Sequence, residues 1–164
     1  MTKLTWLFWV ALGLATQNLN SQSHAMEVVH FQSEAAATAA HANGHANPLS
    51  VWGHIGMPEG DGPFPAVVLL HGCAGLQPNN FRWASFLNRH GYLTLIMDSF
   101  GPRSLVRTCH HDLESEALSN RQLDTLGAHA YLISRPDVDR QRIGLMGWSH
   151  GATVALELVG KRST

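Results

Sequence analysis

Gly147-Trp148-Ser149-His150-Gly151 restricts what this chain can fold into more than any other five residues. The pattern G-x-S-x-G belongs to a sharp turn from a buried strand into a helix, a nucleophile elbow that lifts a serine hydroxyl clear of the backbone. Glycines flank the serine because side chains there would leave it no room. Ile143 to Trp148 is a short apolar run that follows the polar segment Asp137 to Arg142, and Ala152 to Val159 can continue as a helix. Strand, turn and helix in that order favour the elbow over the alternative, an ordinary glycine-rich turn with an exposed serine.

Upstream, strands and helices alternate. Met26 to Gln32 and Leu49 to Met57 have strand character and can pair as a hairpin. Ser33 to Pro48, between them, is rich in Ala, His, Asn and Gly without an apolar period and reads as a low-complexity loop. After the breakers Pro58 to Pro63 comes Pro65 to Leu70, a continuous apolar run suited to a strand covered on both faces. A helix from about Asn80, capped by Asn79 or Asn80, carries Phe81, Ala84 and Leu87 and stops at Gly91. Tyr92 to Met97 is the next buried strand. Arg103 to Glu114 is polar enough to predict a loop, and Ser119-Asn120-Arg121-Gln122 fits a capping box for a helix with Leu123, Leu126, Ala130 and Ile133 on one face. Pro136 closes it. The alternation predicts an α/β fold, a mostly parallel sheet with a leading hairpin and crossover helices.

Composition narrows the partners. With 45% apolar and 14% charged residues the chain is globular, and a formal charge of -1 provides no broad attraction for nucleic acid or an anionic membrane. A small molecule is the expected ligand, no sequence feature calls for a cofactor, and the oligomeric state is left open. Residues 1–25 have the layout of a secretory signal, with Lys3, an apolar stretch from Leu4 to Ala15, and Ser23-His24-Ala25 before the expected cleavage point. That stretch is shorter than the roughly 20 residues of a membrane-spanning helix, so the expectation is an extracytoplasmic protein, periplasmic or secreted, with no stable span after cleavage; an uncleaved anchor is the other reading. In an oxidising compartment Cys73 and Cys109 are candidates for a disulfide, with two unpaired thiols as the alternative.

His71-Gly72-Cys73-Ala74-Gly75 follows the first central strand, where glycines let peptide N–H groups face a crevice. An oxyanion hole belongs there. The backbone N–H of His150, after the serine, and that of Cys73 are the expected donors. His71 reads as a structural brace for this loop. Cys109-His110-His111-Asp112 contains metal-ligand types, and His41 and His45 could add to them, but adjacent residues rarely converge on one ion, so no metal site is assigned. Arg103 either contacts a substrate carboxylate or forms a salt bridge.

Pro63 to Cys73, Asp98 to Arg103, Arg135 to Asp139 and Gly147 to Gly151 occur in an order and spacing that resemble the dienelactone hydrolase family of α/β-hydrolases. The resemblance runs from about Met26 to the last residue and covers the amino-terminal half of such a protein. It implies Ser149 as nucleophile and hydrolysis of an ester or lactone through an acyl-enzyme. In that fold an acid and then a histidine follow the serine along the chain, whereas after His150 the sequence has Glu157 as its one acid and no histidine. A serine without a base is a weak nucleophile. Read as a truncated α/β-hydrolase, residues 26–164 are therefore expected to be inactive alone, with the elbow strand left as an apolar sheet edge; a non-catalytic remnant or binding module on the same fold is the second class of reading.

Overall fold

The structure is a computed structural model that describes residues 26–34, 49–109 and 111–162, with the backbone alone at residues 111–116 and 161–162. Its elements in chain order are strands β1 (Glu27–Gln32), β2 (Ser50–Gly56) and β3 (Phe64–Leu70), helix α1 (Pro78–Arg89), strand β4 (Leu93–Asp98), a single 3-10 turn (Gly101–Arg103), helix α2 (His111–Ser134), strand β5 (Val138–Gly147) and helix α3 (His150–Arg162). They form one five-stranded sheet in the order β1-β2-β4-β3-β5.

The leading hairpin exists, with Glu27 opposite Ile55 and Gln32 opposite Ser50. β2 continues antiparallel onto β4, and β4, β3 and β5 are parallel. This is the α/β architecture expected of the alternating pattern. Residues 1–25, read as a leader, lie outside the described residues, as do residues 35–48 of the low-complexity stretch.

Period-two side-chain alternation explains why β3 is apolar throughout. Val68 and Leu70 join Leu95 and Met97 on the face covered by Ala128 and Leu132 of α2 and Val154 of α3. Leu69 and Ile96 point the other way and pack against Ala84 of α1. A strand covered on both faces has no position left for a polar side chain.

Four local readings are corrected. α1 begins at Pro78, not near Asn80; its N-cap is Gln77, whose backbone N–H donates to Asn80 Oδ1 at 2.9 Å, so Asn80 serves as the third residue of the cap. α2 begins at His111, eight residues before the expected capping box, so Arg103 to Glu114 is a 3-10 turn, a short connection and the first helical residues. The buried stripe of α2 is Arg121, Asp124, Thr125, Ala128 and Leu132, whereas Leu123, Leu126 and Ile133 are half-buried and Ala130 is exposed. Polar residues on the inward face hid the helical period. Finally, β5 starts at Val138 and includes the polar Asp139 to Arg142, which an irregularity in the β3–β5 register between Phe64 and Ala66 accommodates.

Among the described residues β5 is an edge strand, and Leu156 and Val159 of α3 beside it are 74% and 58% exposed.

Candidate active site

β3 and β5 are parallel neighbours with Leu70 opposite Gly147, so the loops leaving both strands emerge at the same end of the sheet. One carries His71 to Gly75 and the other Ser149. In open α/β sheets that end is where ligands bind.

Ser149 lies in the left-handed region at φ 50 and is solvent-exposed. A non-glycine residue there is strained by about 1–2 kcal/mol, and such outliers cluster at functional sites. The turn is closed by the N–H of Gly151 on Trp148 O at 2.9 Å and by those of Ala152 and Thr153 on Ser149 O, while Trp148 N–H donates to Leu70 O at 3.2 Å and ties the elbow to β3. The glycine requirement is steric. A Cβ on Gly147 would stand 2.3 Å from Gly151 O, and one on Gly151 would stand 2.2 Å from Leu70 O.

The two loops meet at the serine. A Cβ on Gly72 would lie 3.7 Å from Ser149 Cβ and 3.4 Å from Trp148 O. The β3 loop is closed by Gly75 N–H on Gly72 O, with Gly75 at φ 79.

Cys73 is joined to Cys109 by a disulfide, and Cys73 O accepts the N–H of Thr108 at 2.8 Å. The β3 loop is thus fastened twice to the segment that precedes α2. The bond closes a loop with a sequence separation of 36 residues. Its reduction is expected to lower stability by about 2–4 kcal/mol, read as a shift in the urea midpoint with and without dithiothreitol. An unchanged midpoint after complete thiol release would count against a structural role for the bond.

His71 is fully buried, with its ring edge-on to Phe100 at 4.5 Å between centroids. Its Nδ1–H donates to Gly72 O at 2.8 Å, and Nε2 faces Asp98 Oδ1 at 3.9 Å. Burial first, and then the nearby Arg121 charge, lower its pKa from 6.5 to about 4. At neutral pH the ring is therefore uncharged and the approach to Asp98 is not an ion pair. The unfolded chain binds a proton at His71 between about pH 6.5 and 4 that the folded chain refuses. Stability contributed by the neutral ring is thus full above pH 6.5 and falls as pH drops through that window, by about 3 kcal/mol in total. Urea titrations at several pH values, with His71→Asn for comparison, should show the acid-side slope reduced in the variant.

Arg121, which the sequence reading placed in a capping box, is 1% exposed and reaches both loops. It donates to His71 O at 2.5 Å and to His150 Nδ1 at 2.7 Å, and its guanidinium lies 5.2 Å from the centre of the Phe100 ring. Burial lowers its pKa to about 10, still charged at neutral pH. No sequence pattern marks it, because an arginine on a helix normally reads as solvated. Arg103 adopts the salt-bridge alternative, with a bidentate pair to Asp124 at 2.8 and 2.9 Å and a further bond to Ser99 O. Glu157 accepts a bond from Gln122 of α2. Of the Cys109 to Asp112 cluster, His110 and the side chains of His111 and Asp112 lie outside the described residues; among the described residues no group of three metal-ligating side chains occurs. No described helix is long and apolar enough to cross a membrane.

A family model described as esterase FrsA-like matches residues 13–162. Among curated proteins, Esterase FrsA of Klebsiella pneumoniae strain 342 is 30% identical over 113 residues, covering 66% of this chain and 25% of its own length. That of Enterobacter sp. strain 638 is 32% identical over 115 residues with the same coverage. The chain thus spans about a quarter of the length of the curated relatives it matches. Among solved structures, a dienelactone hydrolase-like promiscuous phosphotriesterase from metagenomic libraries superposes with a TM-score of 0.62 at 20% identity, over 82% of this chain and 54% of that one. Dienelactone hydrolase from Anabaena variabilis does so with 0.59 at 21% identity, over 85% and 60%. At these identities the structural likeness is one of fold.

Proposed function

This chain belongs to the FrsA-like esterase family on an α/β-hydrolase fold, and from that premise we propose that Ser149 is the nucleophile of an ester hydrolase. Its hydroxyl attacks the carbonyl carbon of a small carboxylic ester or lactone, and the N–H groups of Cys73 and His150 take the oxygen of the tetrahedral intermediate. Collapse releases the alcohol and leaves an acyl-serine, which water then hydrolyses.

The observation that carries the reading is Ser149 itself: an exposed serine held at φ 50, in a turn that the collisions of Gly147 and Gly151 reserve for glycine. In this fold the base is a histidine preceded in the chain by an acid; the rings of His71 and His150 are instead engaged by Gly72 and Arg121. The Cys73–Cys109 bond supports an oxidising, extracytoplasmic location for the protein.

The test is covalent capture. Diisopropyl fluorophosphate, applied to the gene's full product, should leave a diisopropylphosphoryl group on the peptide containing Ser149, and ester hydrolysis should stop in step with labelling. Label confined to another peptide, or hydrolysis that survives full labelling of Ser149, would refute the assignment.

A further inference from the structure

Between the segment that follows β4 and helix α2 lies a cavity of about 330 Å³ whose polar wall includes Ser99, Thr108, Arg103 and Arg121 and whose apolar wall includes Phe100 and Leu105. Ser149 is not among its lining residues.

Three of these side chains are almost wholly buried: Ser99 is 1% exposed, Thr108 0% and Arg121 1%. Each holds a polar atom, Ser99 Oγ, Thr108 Oγ1 or Arg121 Nε, without a hydrogen-bond partner among the described residues. Buried polar groups in folded proteins are almost all paired, so three orphans around one cavity mark a place that is complete only when filled.

The charges decide with what. Arg103 is matched by the bidentate Asp124 carboxylate. Asp98 Oδ1 accepts the N–H groups of Phe100 and Gly101. The bonds of Arg121 go to a carbonyl and an imidazole, both neutral acceptors; the Asp124 and Asp98 carboxylates act on it only through space, and neither is among the described residues that line the cavity. Two hydroxyls and a guanidinium N–H offer donors to an oxygen-rich head, and the ring of Phe100 with Leu105 accommodates a carbon body. A cavity of half this size can hold a benzene ring, and this one is at the small end of the usual ligand range.

We propose that this cavity is a binding site for a small carboxylate with an apolar body of about one ring, its head held by Arg121, Ser99 and Thr108. The assignment does not depend on Ser149 being a nucleophile. Through Arg121 the same guanidinium that meets the ligand also holds His71 O and His150 Nδ1.

Calorimetric titration of the 164-residue chain with benzoate, benzamide and inorganic phosphate tests it. Benzoate should bind at least about tenfold more tightly than benzamide, which has the ring without the charge, and than phosphate, which has the charge without the ring. Thr108→Val and Ser99→Ala should each weaken benzoate by about three- to tenfold, because each removes one donor to a charged acceptor. These two conserve packing and avoid the wider disruption that a change at Arg121 brings. Ser149→Ala should leave the benzoate affinity unchanged. No benzoate binding at about 10 mM, equal affinity for benzamide or phosphate, or full affinity in both donor variants would overturn the proposal. A loss of benzoate binding in Ser149→Ala would also overturn it, by placing the ligand at the elbow.

Discussion

Ser149→Ala is expected to lower kcat/KM toward p-nitrophenyl butyrate by about four to six orders of magnitude in the gene's full product, with little change in stability. Alanine retains the Cβ and with it the strain of φ 50, so the turn bonds from Gly151, Ala152 and Thr153 are unaffected. What is lost is the attacking oxygen. Ser149→Gly separates the two effects: it removes the same oxygen, and glycine adopts the left-handed conformation without penalty. It should therefore be equally inactive yet more stable by about 1 kcal/mol, measured from urea midpoints. A residue that is strained in place and whose relaxation abolishes turnover is held there for chemistry. Retention of more than a tenth of the activity by the alanine variant of the full product would sink the assignment of Ser149.

The elements that build the sheet were legible because their reasons are local. Pro65 to Leu70 has no polar residue, and a strand flanked by helices on both faces tolerates none; Leu69 against Ala84 and Val68 against the α2–α3 side show both faces in use. Ser149 and its glycines were legible because steric exclusion leaves a mark in residue type. The inward face of α2 left no such mark. Arg121 and Asp124 are buried because other charges and carbonyls, from Arg103, His71 and His150, meet them there, and those partners are 21 to 50 residues away in sequence. Apolar periodicity cannot report a buried stripe made partly of paired charges. That one failure displaced the start of α2, placed Arg121 in a surface cap, and left the link between the two loops unseen.

Gly151→Ala carries the largest expected effect on stability. Its Cβ would meet Leu70 O at 2.2 Å and His71 O at 2.6 Å, which are backbone atoms at the end of the central strand rather than the tip of a side chain that could rotate away. Relief requires α3 to withdraw from β3. Withdrawal would strain the Trp148 N–H bond to Leu70 O and the packing of Val154 against the sheet, and it would pull on Arg121, which spans His71 O and the His150 ring. The expected destabilisation is about 4–5 kcal/mol, within the range reserved for core disruption and a large part of what a domain of this size possesses. Gly144→Ala, in the strand β5 that leads into the elbow, provides the comparison: nothing lies within 4 Å of its added Cβ, so its effect should be near zero or stabilising by about 0.4–1 kcal/mol. Equal urea midpoints for the two variants would show that the elbow can yield, and would remove the steric argument that reserves Gly151 for a backbone approach to the nucleophile.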